Sequence, residues 1–232
     1  MLMRSAMWAL AFFVLSSCNR ASPAGGKLTS VSRADLCVTE GALEPLAGGK
    51  FSVSVPKMRA YVEEQTQQDV EAQFKYLGAT DQESQLGSGE MRRQFGLKLR
   101  AQDACNLVYA MWRIEPESQL VVSVKSNPGQ HTSAECGNRG YTNIKPLHSE
   151  PVPALHPGDT HTLRAEMNGA ELKVLIDGKV VWDGPVSNEA LTFDGPVGIR
   201  SDNAKLEIGL GVGQQLKGQS GNACRSGTED SD

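Results

Sequence analysis

The sequence predicts an all-β protein, a single β-sandwich domain. Three observations carry this. Short segments alternate apolar and polar residues along most of the chain. Tight-turn dipeptides separate several of them, including Asn168-Gly169 and Asp177-Gly178. No stretch holds a sustained helical period; the nearest, Val62–Val70, is broken by polar glutamines. Closely spaced strands with turn signals read as a sandwich.

The elements justify themselves in order. Phe51-Ser52-Val53-Ser54-Val55 alternates as a half-buried strand should. Val70, Ala72, Phe74 and Tyr76 alternate with Glu71, Gln73 and Lys75. Phe95, Leu97 and Leu99 follow, opposed by Gln94, Lys98 and Arg100. Leu107–Ile114 and Gln119–Ser126 flank Glu115-Pro116-Glu117-Ser118, whose proline marks a hairpin turn. The last third is clearest: His161–Met167, Glu171–Ile176 and Lys179–Asp183 are joined by the two glycine turns. Gly195–Ser201 and Lys205–Val212 close a domain placed at residues 35–213.

The ends read differently. Arg4 followed by the apolar run Ala6–Leu15 has the form of an export signal, too short to span a bilayer comfortably. Leu15-Ser16-Ser17-Cys18 resembles the lipobox of bacterial lipoproteins. That resemblance implies a signal at 1–17, cleavage before Cys18, lipid on its thiol, and a cell-envelope protein anchored to a membrane. Asn19 does not match the aspartate that marks inner-membrane retention in enteric lipoproteins, so the outer membrane is preferred. Residues 18–34 are poor in pattern and rich in Ser, Ala, Gly and Pro, as a tether is. Residues 214–232 read as a flexible tail.

Charge and cysteines narrow the classes further. The net charge of −4 gives no reason to expect a nucleic-acid partner. With Cys18 assigned to lipid, Cys37, Cys105, Cys136 and Cys224 form an even set in an exported chain. Three disulfide pairings are open. Cys105–Cys136 with Cys37–Cys224 is preferred: the first joins segments flanking two consecutive strands, and the second clasps the two ends of the domain. No CxxC, CxxxC, HxxxH or HExxH spacing occurs, so no metal ligands are assigned.

The stretch from His161 to Trp182, followed by Gly195-Pro196-Val197-Gly198-Ile199-Arg200-Ser201-Asp202, resembles the end of a concanavalin A-like (LamG-type) jelly roll. The resemblance implies two curved sheets. Its superfamily includes lectins, glucanases, polysaccharide lyases and adhesion modules, so the fold does not choose a function. Some relatives bind calcium with loop acids, and Asp177, Asp194 and Asp202 lie at turns, so Ca²⁺ is a possible ligand. The glucanase branch carries paired carboxylates on one strand face, and no such strand is found here. A lyase would need an arginine or glutamine to neutralise a uronate, and a tyrosine or histidine to move protons. Gln94, Arg100, Arg113, Tyr109 and His131 supply the residue types without the tight motifs. No catalytic residue is assigned.

Strand parity points to a surface instead. If Val108, Ala110, Trp112 and Ile114 face the core, the opposite face gathers Lys98, Arg100, Tyr109, Met111, Arg113 and Lys125. Tyr141 and Asn138, in a loop pinned by the Cys105–Cys136 bridge, would border it. Guanidinium groups suit carboxylate or sulfate, and an aromatic face suits a sugar ring. The expectation is noncatalytic recognition of an anionic or polar glycan or other surface polymer. The alternatives are a polysaccharide-degrading enzyme or a structural envelope protein, with this face merely solvated.

Overall fold

A computed structural model of the chain describes residues 26–216 and Cys224. The expected signal, Cys18, most of the tether and nearly all of the tail lie outside the described residues. No helix among the described residues is long and apolar enough to cross a membrane.

In chain order the strands are β1 (Thr29–Val31), β2 (Leu36–Glu40), β3 (Glu44–Pro45), β4 (Phe51–Val53), β5 (Lys57–Val62), β6 (Asp69–Ala79), β7 (Arg93–Leu99) and β8 (Leu107–Glu115). Then come β9 (Gln119–Lys125), the short helix α1 (Ser133–Cys136), β10 (Tyr141–Asn143), β11 (His148–Ser149), β12 (Thr160–Asn168), β13 (Glu171–Ile176), β14 (Lys179–Pro185), β15 (Gly198–Asp202) and β16 (Ala204–Val212). They form two antiparallel sheets. One runs β11-β14-β13-β12-β6-β16-β4-β3, with β1 also on β16; the other runs β10-β9-β8-β7-β15-β5-β2.

The core lies between the sheets and is continuous, as alternation predicts. β16 is a strict case: Ala204, Leu206, Ile208, Leu210 and Val212 are buried while the residues between them are half-buried. At the centre, Phe74 of one sheet meets Phe95 and Trp112 of the other, with ring centroids 5.1 and 5.7 Å apart. Trp112 satisfies its polar edge by donating Nε1–H to Ser118 Oγ at 3.2 Å, and that hydroxyl donates to the Pro153 carbonyl at 2.6 Å. A buried indole needs such a partner.

Several boundaries differ from the sequence reading. Thr29–Val31, expected in the tether, pairs with Leu210–Val212. At the other end, Gln215 bridges to Thr66. Residues 62–70 form no helix: the chain leaves β5 at Val62 and enters β6 at Asp69. The strands outnumber the roughly ten read from sequence because edge strands of two or three residues are too short to show a period. The Glu115–Ser118 turn joins β8 to β9, with a cis bond before Pro116.

Both preferred disulfides are present. Cys105–Cys136 spans 31 residues and Cys37–Cys224 spans 187. The second ties β2 to the C-terminal segment, closing a loop around nearly the whole domain.

Candidate functional site: a walled groove on the second sheet

The outer face of the β10-to-β2 sheet does not show the half-exposed pattern of a solvated surface. In β7 every residue after Arg93 is buried, and in β8 only Arg113 and Glu115 are not. Both faces of these strands are covered. The core covers one; the Leu86–Arg92 loop and the segment leading into β10 flank the other and leave a groove of about 180 Å³ between them.

The groove floor is built by strand parity. Tyr109, Met111 and Arg113 project from β8, flanked by Gln94 on β7, Ser123 on β9 and, beyond β7, Arg200 on β15. Gly96 sits beside Met111 in register. A Cβ there would lie 2.4 Å from the Ala110 carbonyl oxygen and 2.6 Å from Met111 Sδ, so glycine is what lets Met111 lie flat.

One wall is the segment Leu86–Arg92. It is held by Asn203, a fully buried residue at φ 56°. The Asn203 side-chain amide donates to the carbonyls of Ser84 and Arg92, and its oxygen accepts the Ser84 N–H, all at 2.9 Å. The opposite wall carries Asn138, Tyr141 and Asn143. The Cys105–Cys136 bridge anchors its start, and Asn127 donates its amide to the Arg139 carbonyl at 3.0 Å. Gly140 passes so close to Ser126 and Asn127 that no Cβ would fit.

Beneath the floor lies a buried ionic network. Asp202 accepts from Arg59 Nη2 at 2.7 Å, Arg200 Nε at 2.9 Å and Gln94 Nε2 at 2.6 Å. Burial alone would raise the Asp202 pKa, but Arg200, Arg59 and the Gln94 amide outweigh it and hold the carboxyl well below the usual carboxylate range. Burial would likewise lower the Arg200 pKa; Asp202, Tyr109 and Tyr141 reverse this and raise it well above the usual value. From this anchored position Arg200 lies over the Tyr109 ring at 5.2 Å and donates Nη1–H to Tyr141 Oη at 3.2 Å. Tyr141 stacks on Tyr109, centroids 6.1 Å apart and 24° from parallel. The pair forms an aromatic end to the groove, with Tyr141 about a third exposed and Tyr109 almost covered.

The six residues singled out from the sequence separate here. Tyr109, Arg113 and Tyr141 all line the groove. Lys98 and Lys125 lie on the expected face but not on a solvated one: they are 4% and 1% exposed, and Lys125 Nζ sits 5.2 Å from the Tyr141 ring centroid. Lys125 therefore supports the aromatic wall from behind. Arg100 is a correction. β7 ends at Leu99, Arg100 takes φ 48°, and its Nη2 donates to the Leu191 carbonyl at 2.6 Å. The alternation that would have brought it to this face stops one residue too early.

Arg200 in the groove and Asp202 beneath its floor were missed. The sequence shows them only within the fold-bearing stretch, and Asp202-Asn203 reads as a surface turn. Their parity with Gly198 on β15 was the available signal, but the neighbour relation of β15 and β7 spans almost a hundred positions and is not local. Among the described residues no group of three or more His, Cys, Asp or Glu side chains could hold a metal ion. Asp177 instead accepts from the Thr162 N–H at 2.8 Å and lies 2.6 Å from the His161 ring.

No protein-family model and no curated protein matches the sequence. Solved structures do match the fold. The carbohydrate binding module CBM66 from Bacillus subtilis aligns with a TM-score of 0.50 at 15% identity, over 75% of this chain and 91% of that one. A point mutant of the Emp46p carbohydrate recognition domain aligns with a TM-score of 0.50 at 13% identity, over 79% of this chain and 89% of that one. At such identities the likeness concerns fold. Two packed antiparallel sheets and these neighbours make the chain an all-β, concanavalin A-like jelly-roll β-sandwich.

Proposed function

We propose that this protein is a lipid-anchored envelope protein that binds a glycan, without catalysis, in the groove between the Leu86–Arg92 and Asn138–Asn143 walls. The observation that carries the reading is the stacked Tyr109–Tyr141 pair at one end of a polar groove. Sugar rings present C–H faces that pack on aromatic rings, and hydroxyls that need amide and hydroxyl partners. Gln94, Ser123, Asn138 and Asn143 line the same groove and supply such partners. Similarity in fold to a carbohydrate binding module and a carbohydrate recognition domain supports the assignment. So does the acid content of the groove. Glu90 is the one carboxylate among the described residues lining it, while hydrolysis by paired acids needs two.

Glycan-array binding of the intact chain, followed by calorimetry on the hits, tests the groove. Tyr141→Ala is expected to weaken binding about tenfold or more, since an aromatic contact is worth about 0.5–1.5 kcal/mol beyond its area. Absence of any wild-type binding, or full affinity in Tyr141→Ala, overturns the reading. The anchor is tested separately, by the mass of the mature N-terminus. Lipid on Cys18 and cleavage before it are expected; cleavage elsewhere removes the anchor from the proposal.

A further inference from the structure

The sequence alone suggests a broad basic patch, and the structure dissolves most of it. Of the three arginines lining the groove, Arg92 and Arg200 are matched to a carboxylate. Arg200 and Arg59 share Asp202, and Arg59 also has Glu40 at 3.7 Å. Arg92 pairs with Glu90, and Arg93 with Glu83 and Glu115. Lys125 is covered by Tyr141. Arg113 is different. It lines the groove, yet among the described residues no carboxylate stands within ion-pair distance, and its Nε is buried with no hydrogen-bond acceptor.

We infer that Arg113 is an anion-selecting residue, and that the groove takes an acidic saccharide whose carboxylate or sulfate docks on its guanidinium. This rests on the glycan-binding reading above and adds the ligand's charge. Two features converge on it. The guanidinium is partly stripped of water and its positive charge is under-compensated. Burial lowers its pKa and the neighbouring Arg92 adds to that, with Glu90 opposing in part. A carboxylate or sulfate accepting from the guanidinium relieves both deficits at once, by geometry no hydroxyl can reproduce. Its placement then sets the ligand's length. Arg113 lies four residues along β8 from Tyr109, about 13 Å of extended backbone. That separation exceeds one sugar ring. A neutral ring on the tyrosines and an anionic group on Arg113 therefore belong to different residues of one oligosaccharide.

The test uses the intact, disulfide-bonded chain and three probes: oligogalacturonides, the same oligosaccharides with their carboxyls reduced to alcohols, and sulfated oligosaccharides. An acidic probe, uronate or sulfated, is expected to bind about 10- to 100-fold tighter than the reduced one, the range for a hydrogen-bonded charge. Arg113→Gln is expected to bring the ratio of acidic to reduced probe affinity to about one, and Arg113→Lys to restore it in part. Preference for one acidic probe over the other identifies the anion. Equal affinities for acidic and reduced probes, with Tyr141→Ala weakening both, overturn the charge selection and leave the glycan reading intact. No binding of any probe, with no hit on the array, overturns both. Acid preference that persists in Arg113→Gln places the selecting cation elsewhere and also refutes the inference.

Discussion

Replacing Asp202 with Asn is the sharpest probe of how the groove floor is held. Asp202 is fully buried and accepts from two guanidiniums and one amide. Arg59 would retain the Met58 and Ser201 carbonyls, both at 3.0 Å, and Glu40 nearby. Arg200 would keep the Tyr141 hydroxyl and the Tyr109 ring face, and so bears most of the loss. Leaving a buried charge without its partner costs about 3–5 kcal/mol. In a domain of this size each kcal/mol moves Tm by about 2–4 °C, so Asp202→Asn should melt roughly 6–20 °C below the wild type. Calorimetry at neutral pH with the disulfides intact measures it. The pH dependence has a definite sign. The carboxyl pKa is lowered by folding, so its contribution is full above the unfolded value of about 3.9 and is lost as pH falls toward the folded value. The gap between wild type and variant should hold from neutral pH down to about 5 and narrow only below about 4. A deficit under about 1 kcal/mol, or a gap that closes near neutral pH, would refute the closed ionic network.

Other expectations test the walls and floor. Gly96→Ala should cost about 1–3 kcal/mol by overpacking and displace Met111, seen as a lowered unfolding midpoint in urea together with weakened groove binding. An unchanged midpoint would mean that the floor yields at little cost. Asn203→Ala should destabilise by more than Asn203→Gly, because glycine relieves the φ of 56° while both lose the three hydrogen bonds to the 84–92 wall. Equal midpoints for the two variants would contradict the backbone half of that argument. Removing the Cys105–Cys136 bridge with paired serines should cost about 4 kcal/mol on the chain-entropy account of a 31-residue loop. It should also raise amide exchange across residues 137–141; exchange unaltered there would show the wall to be held by Asn127 alone.

The architecture was legible because burial leaves a local trace. β16 and β6 alternate strictly, and the turns between β12, β13 and β14, at Gly169-Ala170 (one residue beyond the Asn168-Gly169 reading) and Asp177-Gly178, set those hairpins within a few residues. The preferred disulfide pairing, one of three that the sequence leaves open, is the one present. Half of the candidate surface was legible for the same reason: parity on β8 puts Tyr109, Met111 and Arg113 on one face, whatever that face meets. Parity ceases to inform where the strand stops, which is why Arg100 was misplaced. It also carries no information on what covers a face. Lys98 and Lys125 have the spacing of solvated residues and are buried, Lys125 against the Tyr141 ring of the neighbouring strand.

The sequence by itself determined the longer strands, the core face of the central ones and the residues available opposite it, since these depend on periods of two and on adjacent turns. Only the tertiary structure decided which cations remain uncompensated. Asp202 reaches Arg59 across 143 positions and Arg200 across two, and strand order in the sheet brings all three together. Charge compensation depends on distance in space, and a β-sandwich joins strands far apart in the chain. For that reason a patch of candidate residues became one groove, one aromatic pair and, among the arginines lining that groove, one without a carboxylate.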